Sequence, residues 1–141
     1  MTSSFVHLHV HSNYSPMTGV SSLEQLCEAA VRQGANTLAL TDTNGLYGAI
    51  RFLSVARDAG LRPILGAEVS SDDTHRAVLL AKTSEGYGNL CRILSERHCQ
   101  TSKGRSNAGF HLIETVAHHR RGLIILSDDP QALLAWRKES E

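Results

Sequence analysis

The stretch HLHVHSNYS, residues 7–15, determines how the rest of the chain is interpreted. With the preceding Phe5-Val6 pair it alternates polar and apolar residues, which predicts a β-strand that runs into a loop. Side chains two positions apart leave a strand on the same face, so His9 and His11 lie about 6.6 Å apart at the backbone. Because neutral imidazole is a common metal ligand, this spacing favours binding of one divalent ion by both rings.

The composition is that of an ordinary globular protein. The chain has 141 residues, 41% of them hydrophobic and 20% charged, and its formal net charge is zero. This balance argues against a self-sufficient nucleic-acid binder, which usually carries a basic excess. Cys27, Cys91 and Cys99 are widely spaced, which argues against a disulfide framework or a zinc finger and favours a cytoplasmic protein. We expect no signal peptide and no membrane contact, since no apolar run approaches the ~20 residues of a membrane span.

Beyond the first stretch, the sequence alternates predicted helices and strands. After the strand at 5–11, strands are expected at 36–42, 61–70, 75–83 and 123–129, and helices at 21–34, 46–60, 87–98, 110–122 and 130–140. This order indicates βαβ units, and therefore a parallel sheet with helices outside it.

Two local features complete this pattern. In the helix at 46–60, the apolar stripe expected to face the core is Ile50, Leu53 and Ala56/Arg57. Residues 101–109 are polar and carry two glycines, which predicts a loop.

The ends of the predicted strands carry polar residues that could meet in space, because functional groups of parallel α/β folds collect there. Asp42 ends the second strand, Glu68 lies in the otherwise apolar third strand, and His75 opens the fourth. Histidine and carboxylate are ligands that divalent ions prefer. We therefore predict a Zn²⁺, Mn²⁺ or Mg²⁺ site that includes His9, His11 and Glu68. The alternative is that these residues are merely polar groups near a sheet end.

Four blocks of this sequence resemble the PHP domain (polymerase and histidinol phosphatase). They are HLHVHSNYS, LALTDTNGLYGAIRF, RPILGAEV and VLLAKTSEGYGNLCRILS, and RGLIILSDD is similar to a further strand of the family. The resemblance spans nearly all of residues 5–128. Within the family, these blocks resemble in particular the N-terminal PHP domain of the bacterial DNA polymerase III alpha subunit and its error-prone relatives. It implies a TIM-like (βα)₇ barrel whose metal cluster lies at the strand ends and catalyses phosphoester hydrolysis.

The resemblance also implies roles for individual residues. His9 and His11 match the family's HxH ligands of the first metal, and Glu68 matches the carboxylate expected to bridge two metals. Asp42 matches the Asp of the family's TDH motif, so we predict that Asp42 and Glu68 are the catalytic carboxylates.

Two further histidines are candidate ligands. His7 stands where many family members have Asp, which makes it a neighbour of the site and a candidate metal ligand. The family's next histidine lies near His75, with a register uncertain by one residue.

Two positions depart from the family pattern. Thr43 stands where the family has a histidine, and Thr18 stands where it often has an acidic residue or a histidine. A threonine hydroxyl is a poor ligand compared with imidazole or carboxylate, and both changes fall on the same second metal. We therefore expect that the second metal site is lost.

The family's later Asp-x-His motif is missing from this sequence. Residues 1–141 are therefore expected to be the N-terminal portion of a PHP domain, truncated before the last metal motif, with an incomplete barrel.

Three functions stay open on the sequence. The favoured one is the PHP region of a DNA polymerase III alpha-type protein in DNA replication or translesion synthesis, with a degenerate metal site and a structural or proofreader-docking role. The second is an active metal-dependent phosphoesterase, either a 3′–5′ exonuclease or a pyrophosphatase. The third is a stand-alone enzyme of the histidinol-phosphatase kind.

The resemblance also indicates what the chain would work with. The full-length relatives are DNA-directed DNA polymerases, and this chain alone is expected to be weak or inactive as a phosphoesterase. Its expected partners are the remainder of a polymerase chain or replisome subunits, and it would meet DNA only through the full-length protein.

Overall fold

A computed structural model describes residues 5–71, 75–101 and 109–138 of the chain. In these residues it has α1 Leu23–Arg32, β1 Thr37–Thr43, α2 Ala49–Asp58, β2 Arg62–Ser70, β3 Arg76–Ala81, α3 Ser84–Thr101, α4 Leu112–His119, β4 Leu123–Leu126 and α5 Pro130–Lys138. The predicted α/β class and the order of elements after residue 20 are confirmed. Most of the loop predicted at 101–109 lies outside the described residues, and no described helix combines the length and apolar character of a membrane span.

The four strands form a sheet with the hydrogen-bonded order β1-β2-β3-β4. β3 and β4 are antiparallel and pair Val78 with Leu126 and Leu80 with Ile124. β2 and β3 are joined only by residues 71–75, which is too short for the crossover that parallel neighbours need. The prediction of a parallel sheet is therefore wrong for this part of the sheet. The connections explain this, since only five residues separate β2 from β3, and two helices instead of one separate β3 from β4.

The segment that carries the histidines lies beside β1 without forming a regular strand. Ala39 N donates to His7 O at 3.2 Å, and Thr41 N donates to Val10 O at 2.9 Å. The segment thus advances three residues while β1 advances two, which breaks a regular ladder as a bulge does. The Thr41 hydroxyl accepts from Val10 N at 2.7 Å and donates to Val10 O at 3.1 Å. The regular strand predicted at 5–11 was wrong because a threonine side chain replaces part of the backbone pairing.

The chain divides into two compact units, residues 1–67 and 68–141, and the division falls inside the continuous strand β2. In the first unit, α1 begins at Leu23 because Ser22 and Gln25 form a reciprocal capping box. The buried core of this unit combines residues of α1, β1, α2 and the start of β2: Leu23, Cys27, Ala30, Leu38, Leu40, Phe52, Ala56 and Leu61.

Helix α2 faces this core with a stripe one residue earlier than the sequence predicted. Ala49, Phe52 and Ala56 are buried, whereas Ile50 is 75% exposed. The spacing of the stripe is the same, but the register follows the aromatic ring, which removes more apolar surface from water than an aliphatic side chain does.

The second unit packs three helices and two strands around a separate set of buried apolar residues. Leu90 and Ile93 of α3, Val116 of α4 and Trp136 of α5 are buried. Trp136 Nε1 donates to Ile113 O at 2.9 Å, which satisfies the indole N–H and ties α5 to α4.

We predict that Phe52→Ala lowers the free energy of unfolding by about 3–5 kcal/mol, because it empties a buried aromatic site. The matched control Ile50→Ala, on the exposed face of the same helix, should change it by no more than about 0.5 kcal/mol. Urea unfolding followed by circular dichroism measures both. Equal losses would contradict the observed orientation of α2.

Candidate metal centre

Three of the predicted site residues lie together. The candidate ligand atoms of His9, His11 and Glu68 are all within 4.8 Å of one another. The two imidazole rings have centroids 4.9 Å apart and planes at 85°. Bonds of about 2.0–2.2 Å place two donors of one tetrahedral ion about 3.3–3.6 Å apart, so small side-chain movements would bring this group onto one ion.

The environment of Glu68 also suits a cation. Glu68 is only 7% exposed, and its strand neighbours Ala67 and Val69 are fully buried. Moving a carboxylate out of water is costly unless hydrogen bonds or an opposite charge compensate for it. Two imidazoles and one carboxylate form a donor set that suits borderline ions such as Zn²⁺.

Asp42 holds the loop that follows His11. Its Oδ1 accepts from Ser12 N at 2.7 Å and from Ser15 Oγ at 2.6 Å, and its Oδ2 accepts from Ser12 Oγ at 2.8 Å. Ser15 Oγ in turn accepts from Thr43 N at 2.9 Å. The side chains of Asp42, Ser12 and Ser15, which form this hydrogen-bonded cluster, are all buried. The cluster therefore fixes the backbone that directly follows His11.

This geometry gives Asp42 a positioning task. Within the described residues, Asp42 is not a member of the group whose donor atoms converge. Its predicted catalytic role stays a prediction, whereas its hydrogen bonds explain why a carboxylate is needed at the end of β1.

The other two candidate histidines lie outside the converging group in the part of the chain that the structure describes. His7 is exposed, and its ring meets Phe5 edge-on with a centroid distance of 4.8 Å. His75 is exposed just before β3, and its carbonyl accepts from Ser71 N at 3.1 Å. Their roles as metal ligands stay predictions.

The two threonines that depart from the family pattern lie side by side. The Oγ1 atoms of Thr18 and Thr43 are 3.4 Å apart, and Thr18 Oγ1 also donates to Ser15 O at 3.3 Å. Their chain neighbours Met17 and Asn44 have left-handed backbones, with φ of 69° and 54°. This contact is what we expect if both positions served one metal, since two ligands of one ion must be neighbours.

The sequence interpretation missed Ser12 and Ser15 as residues that build the site. The available signal was the run HSNYS, in which two serines follow the HxH pair directly. Short hydroxyl side chains beside a predicted strand-end aspartate are natural donors to that carboxylate.

The comparison with protein families assigns the chain. The family described as "PHP domain" matches residues 7–136. The chain belongs to the PHP domain family. The error-prone DNA polymerase of Symbiobacterium thermophilum is 39% identical to this PHP domain chain over an alignment of 137 positions, and the match covers 88% of this chain and 13% of that protein. The DNA polymerase III subunit alpha of Bacillus subtilis is 38% identical over an alignment of 130 positions, and the match covers 88% of this chain and 11% of that protein.

Solved structures of low identity share the fold of this PHP domain chain. A protein from Bifidobacterium adolescentis assigned as a metal-dependent phosphoesterase has a TM-score of 0.51 and 18% identity, covering 99% of this chain and 45% of that one. An amidohydrolase from Chromobacterium violaceum, solved with sulfate and without metal, has a TM-score of 0.50 and 22% identity, covering 94% and 48%. These likenesses confirm the predicted fold class, and the chain spans less than half of each structure.

We predict that Asp42→Asn lowers the free energy of unfolding by about 2–3 kcal/mol, because an amide cannot accept all the hydrogen bonds that the buried carboxylate accepts. The control Asp58→Asn changes an exposed residue at the end of α2 and should stay within about 0.5 kcal/mol. Urea unfolding measures both variants. A loss at Asp42 no larger than at Asp58 would contradict the positioning role.

Proposed function

We propose that this chain is the PHP region of a DNA polymerase III alpha-type protein that acts in the cytoplasm in DNA replication or translesion synthesis. In this proposal the region keeps one divalent metal, has lost the second, and serves to stabilise the polymerase or to dock a proofreading subunit. Polymerase relatives 33–39% identical to the chain support this assignment.

The observation that carries the degenerate-site proposal is the contact between Thr18 and Thr43. Their hydroxyls are 3.4 Å apart, so the two positions that lack the family's ligands occupy one place. Neutral hydroxyls neither compensate a divalent charge nor bind a borderline ion as well as imidazole or carboxylate does. Two such changes at one place would abolish an ion site, whereas a single change could leave it weakened.

The first metal is proposed to bind His9, His11 and Glu68. When bound, such an ion supplies Lewis acidity toward phosphoryl oxygens and lowers the pKa of water. The residues of this chain contribute position: Asp42 holds Ser12 and Ser15, and this fixes the backbone next to His11. The ion would also fasten the irregular histidine segment to β2, which explains why a group that no longer catalyses would retain its ligands.

We further propose that residues 1–141 are the first part of a PHP domain. The chain spans 45–48% of the solved structures with this fold and 11–13% of the polymerase relatives. The proposed partners are the remaining polymerase chain and replisome subunits, with DNA reached only through the full-length protein.

An active phosphoesterase is the second candidate, and the converging His9, His11 and Glu68 group favours it. This alternative would act as a 3′–5′ exonuclease or a pyrophosphatase. The two functions differ in one assay, in which purified protein with Mn²⁺ or Zn²⁺ is incubated with a single-stranded oligonucleotide or with pyrophosphate. The structural proposal expects no turnover above that of the His9→Ala variant. Turnover that His9→Ala abolishes would establish the phosphoesterase instead.

A stand-alone enzyme of the histidinol-phosphatase kind is the weakest candidate. The similarity to polymerases extends over most of the chain, including 88% of it for the Symbiobacterium thermophilum protein. Hydrolysis of a small phosphate monoester such as histidinol phosphate by the purified chain would favour this candidate over the polymerase assignment.

We predict that the chain, with any affinity tag removed, retains one equivalent of Zn²⁺ or Mn²⁺ through His9, His11 and Glu68, and that His9→Ala abolishes this binding. At a hundredfold excess of metal over the dissociation constant, binding should stabilise the native state by about 2.7 kcal/mol. Equilibrium dialysis with elemental analysis, together with thermal unfolding, measures both effects.

His98→Ala is the control for this prediction, because it removes an exposed histidine outside the group. It should keep the full equivalent of metal. The same substitution at His7 and at His75 decides whether either residue contributes a ligand. Unchanged metal content in His9→Ala would contradict the proposed centre.

We predict that the double variant Thr18→Asp/Thr43→His raises the metal content at the centre by one equivalent. The two threonines are neighbours, and the substitutions place a carboxylate and an imidazole where two hydroxyls now lie. Dialysis against Zn²⁺ or Mn²⁺ measures the change relative to the unsubstituted chain. The isosteric control Thr18→Val/Thr43→Val should gain nothing. If the metal-binding pair gains no more than the valine pair, the two positions do not form a lost metal site.

A further inference from the structure

Helices α3 and α4 carry a second collection of imidazoles and carboxylates. A groove of about 420 Å³ is lined by Glu96, His111, Glu114, His118 and His119, among others. An adjoining groove of about 380 Å³ shares His111, Glu114 and His118. All these residues lie in the second unit, and none belongs to the His9, His11 and Glu68 group. Nothing in the proposed function uses them.

The positions along α4 place three of the side chains on one surface. Glu114 and His118 are four residues apart, so they are neighbours on the same helix face. His111 immediately precedes the helix, three residues before Glu114, and it lines both grooves. All three side chains are exposed and can change rotamer at little cost in packing.

The hydrogen bond of His118 determines which ring nitrogen can bind an ion. Its Nδ1 lies 2.8 Å from the backbone oxygen of Glu114. A carbonyl oxygen only accepts, so Nδ1 carries the hydrogen and Nε2 of the neutral ring holds a lone pair. Metal-binding histidines are commonly oriented by this kind of N–H donation to a carbonyl or a carboxylate. His118 is therefore already in the tautomer that suits a ligand.

A second contact joins the two helices at the groove. His119 Nε2 lies 2.9 Å from Glu96 Oε1, and both side chains are partly exposed. This pair orients the Glu96 carboxylate of α3, which lines the same groove as Glu114. The groove therefore presents two carboxylates together with an imidazole of defined tautomer.

We propose that this groove binds a borderline divalent ion of the Zn²⁺ or Co²⁺ kind through Glu114 and His118, with His111 as a third ligand. Imidazole combined with carboxylate favours such ions over Mg²⁺ or Ca²⁺. In the described residues, three donor atoms lie within 4.8 Å of one another only at the His9, His11 and Glu68 group. The ion in the groove therefore binds when the exposed side chains of His111 and Glu114 rotate toward His118, and its affinity is lower than that of the first centre.

The test uses tag-free protein and Zn²⁺ or Co²⁺ alone. The unsubstituted chain should bind one equivalent tightly and a second more weakly, as measured by isothermal titration calorimetry and by the visible absorption of Co²⁺. Glu114→Ala/His118→Ala should lose only the weaker equivalent, or lower its affinity more than roughly tenfold. Removing a residue that only orients a metal ligand already costs about tenfold or more in metal affinity, and removing the ligand itself costs at least as much. His9→Ala should lose only the tight one, which separates this inference from the proposed function.

His98→Ala is again the matched control, since it removes an exposed histidine of α3 that does not line the groove. It should keep the weaker equivalent. Circular dichroism of the metal-free variants confirms that each one is folded before titration. A weaker equivalent that persists in folded Glu114→Ala/His118→Ala, or that is absent from the unsubstituted chain, would overturn the proposal.

Discussion

The carboxylate of Asp42 is the group on which the geometry of the centre depends. It lies at the end of β1 and accepts from a backbone N–H and two hydroxyls of the loop that follows His11. The histidine segment itself is not a regular strand, and part of its pairing with β1 runs through the Thr41 side chain. Without a buried acceptor at Asp42, the loop that follows His11 would lose three hydrogen bonds, and hydrogen bonds to a charged group contribute more than neutral ones.

The same network connects the loop that follows His11 with Thr18 and Thr43. Ser15 bonds to Asp42 and also accepts from the backbone of Thr43, while Thr18 donates to the backbone of Ser15. One small loop therefore positions both the histidine side of the centre and the two threonines. The serine–aspartate bonds do not involve the side chains of Thr18 and Thr43, so these two positions can change while the bonds that hold the loop are kept. An ion bound by His9, His11 and Glu68, as we propose, would have a structural role, since it would join an irregular segment to the sheet.

The sequence predicted most of the fold from local periodicity. Apolar spacing and the capping residues before α1 define helices whose boundaries depend on nearby residues, and these were found within a few positions. Strand direction was mispredicted, since it depends on which strands become neighbours and on how the connections run. The register of α2 was missed by one residue because periodicity alone does not weigh Phe52 against Ile50.

The candidate site was predictable to a similar degree. The HxH spacing and a carboxylate in an apolar strand were enough to select His9, His11 and Glu68, which the fold brings within 4.8 Å. His7 and His75 fit the same residue types, but whether they join the converging group depends on tertiary structure, which the sequence pattern does not contain. The serines that donate hydrogen bonds to Asp42 were missed for a related reason. Hydroxyl donors are common in sequences, and only the buried acceptor makes these two significant. The contact between Thr18 and Thr43 was anticipated through the family pattern and could not be derived from spacing, because 24 other residues separate them.

The location of the metal itself tests most directly whether His9, His11 and Glu68 bind it. Crystals of the tag-free protein grown with Zn²⁺ and measured at the zinc absorption edge would give an anomalous difference map. We expect a peak about 2.0–2.2 Å from ligand atoms of His9, His11 and Glu68, and no peak beside Thr18 and Thr43. A map without density at the histidines and Glu68, or with an ion held between the threonines, would contradict this expectation.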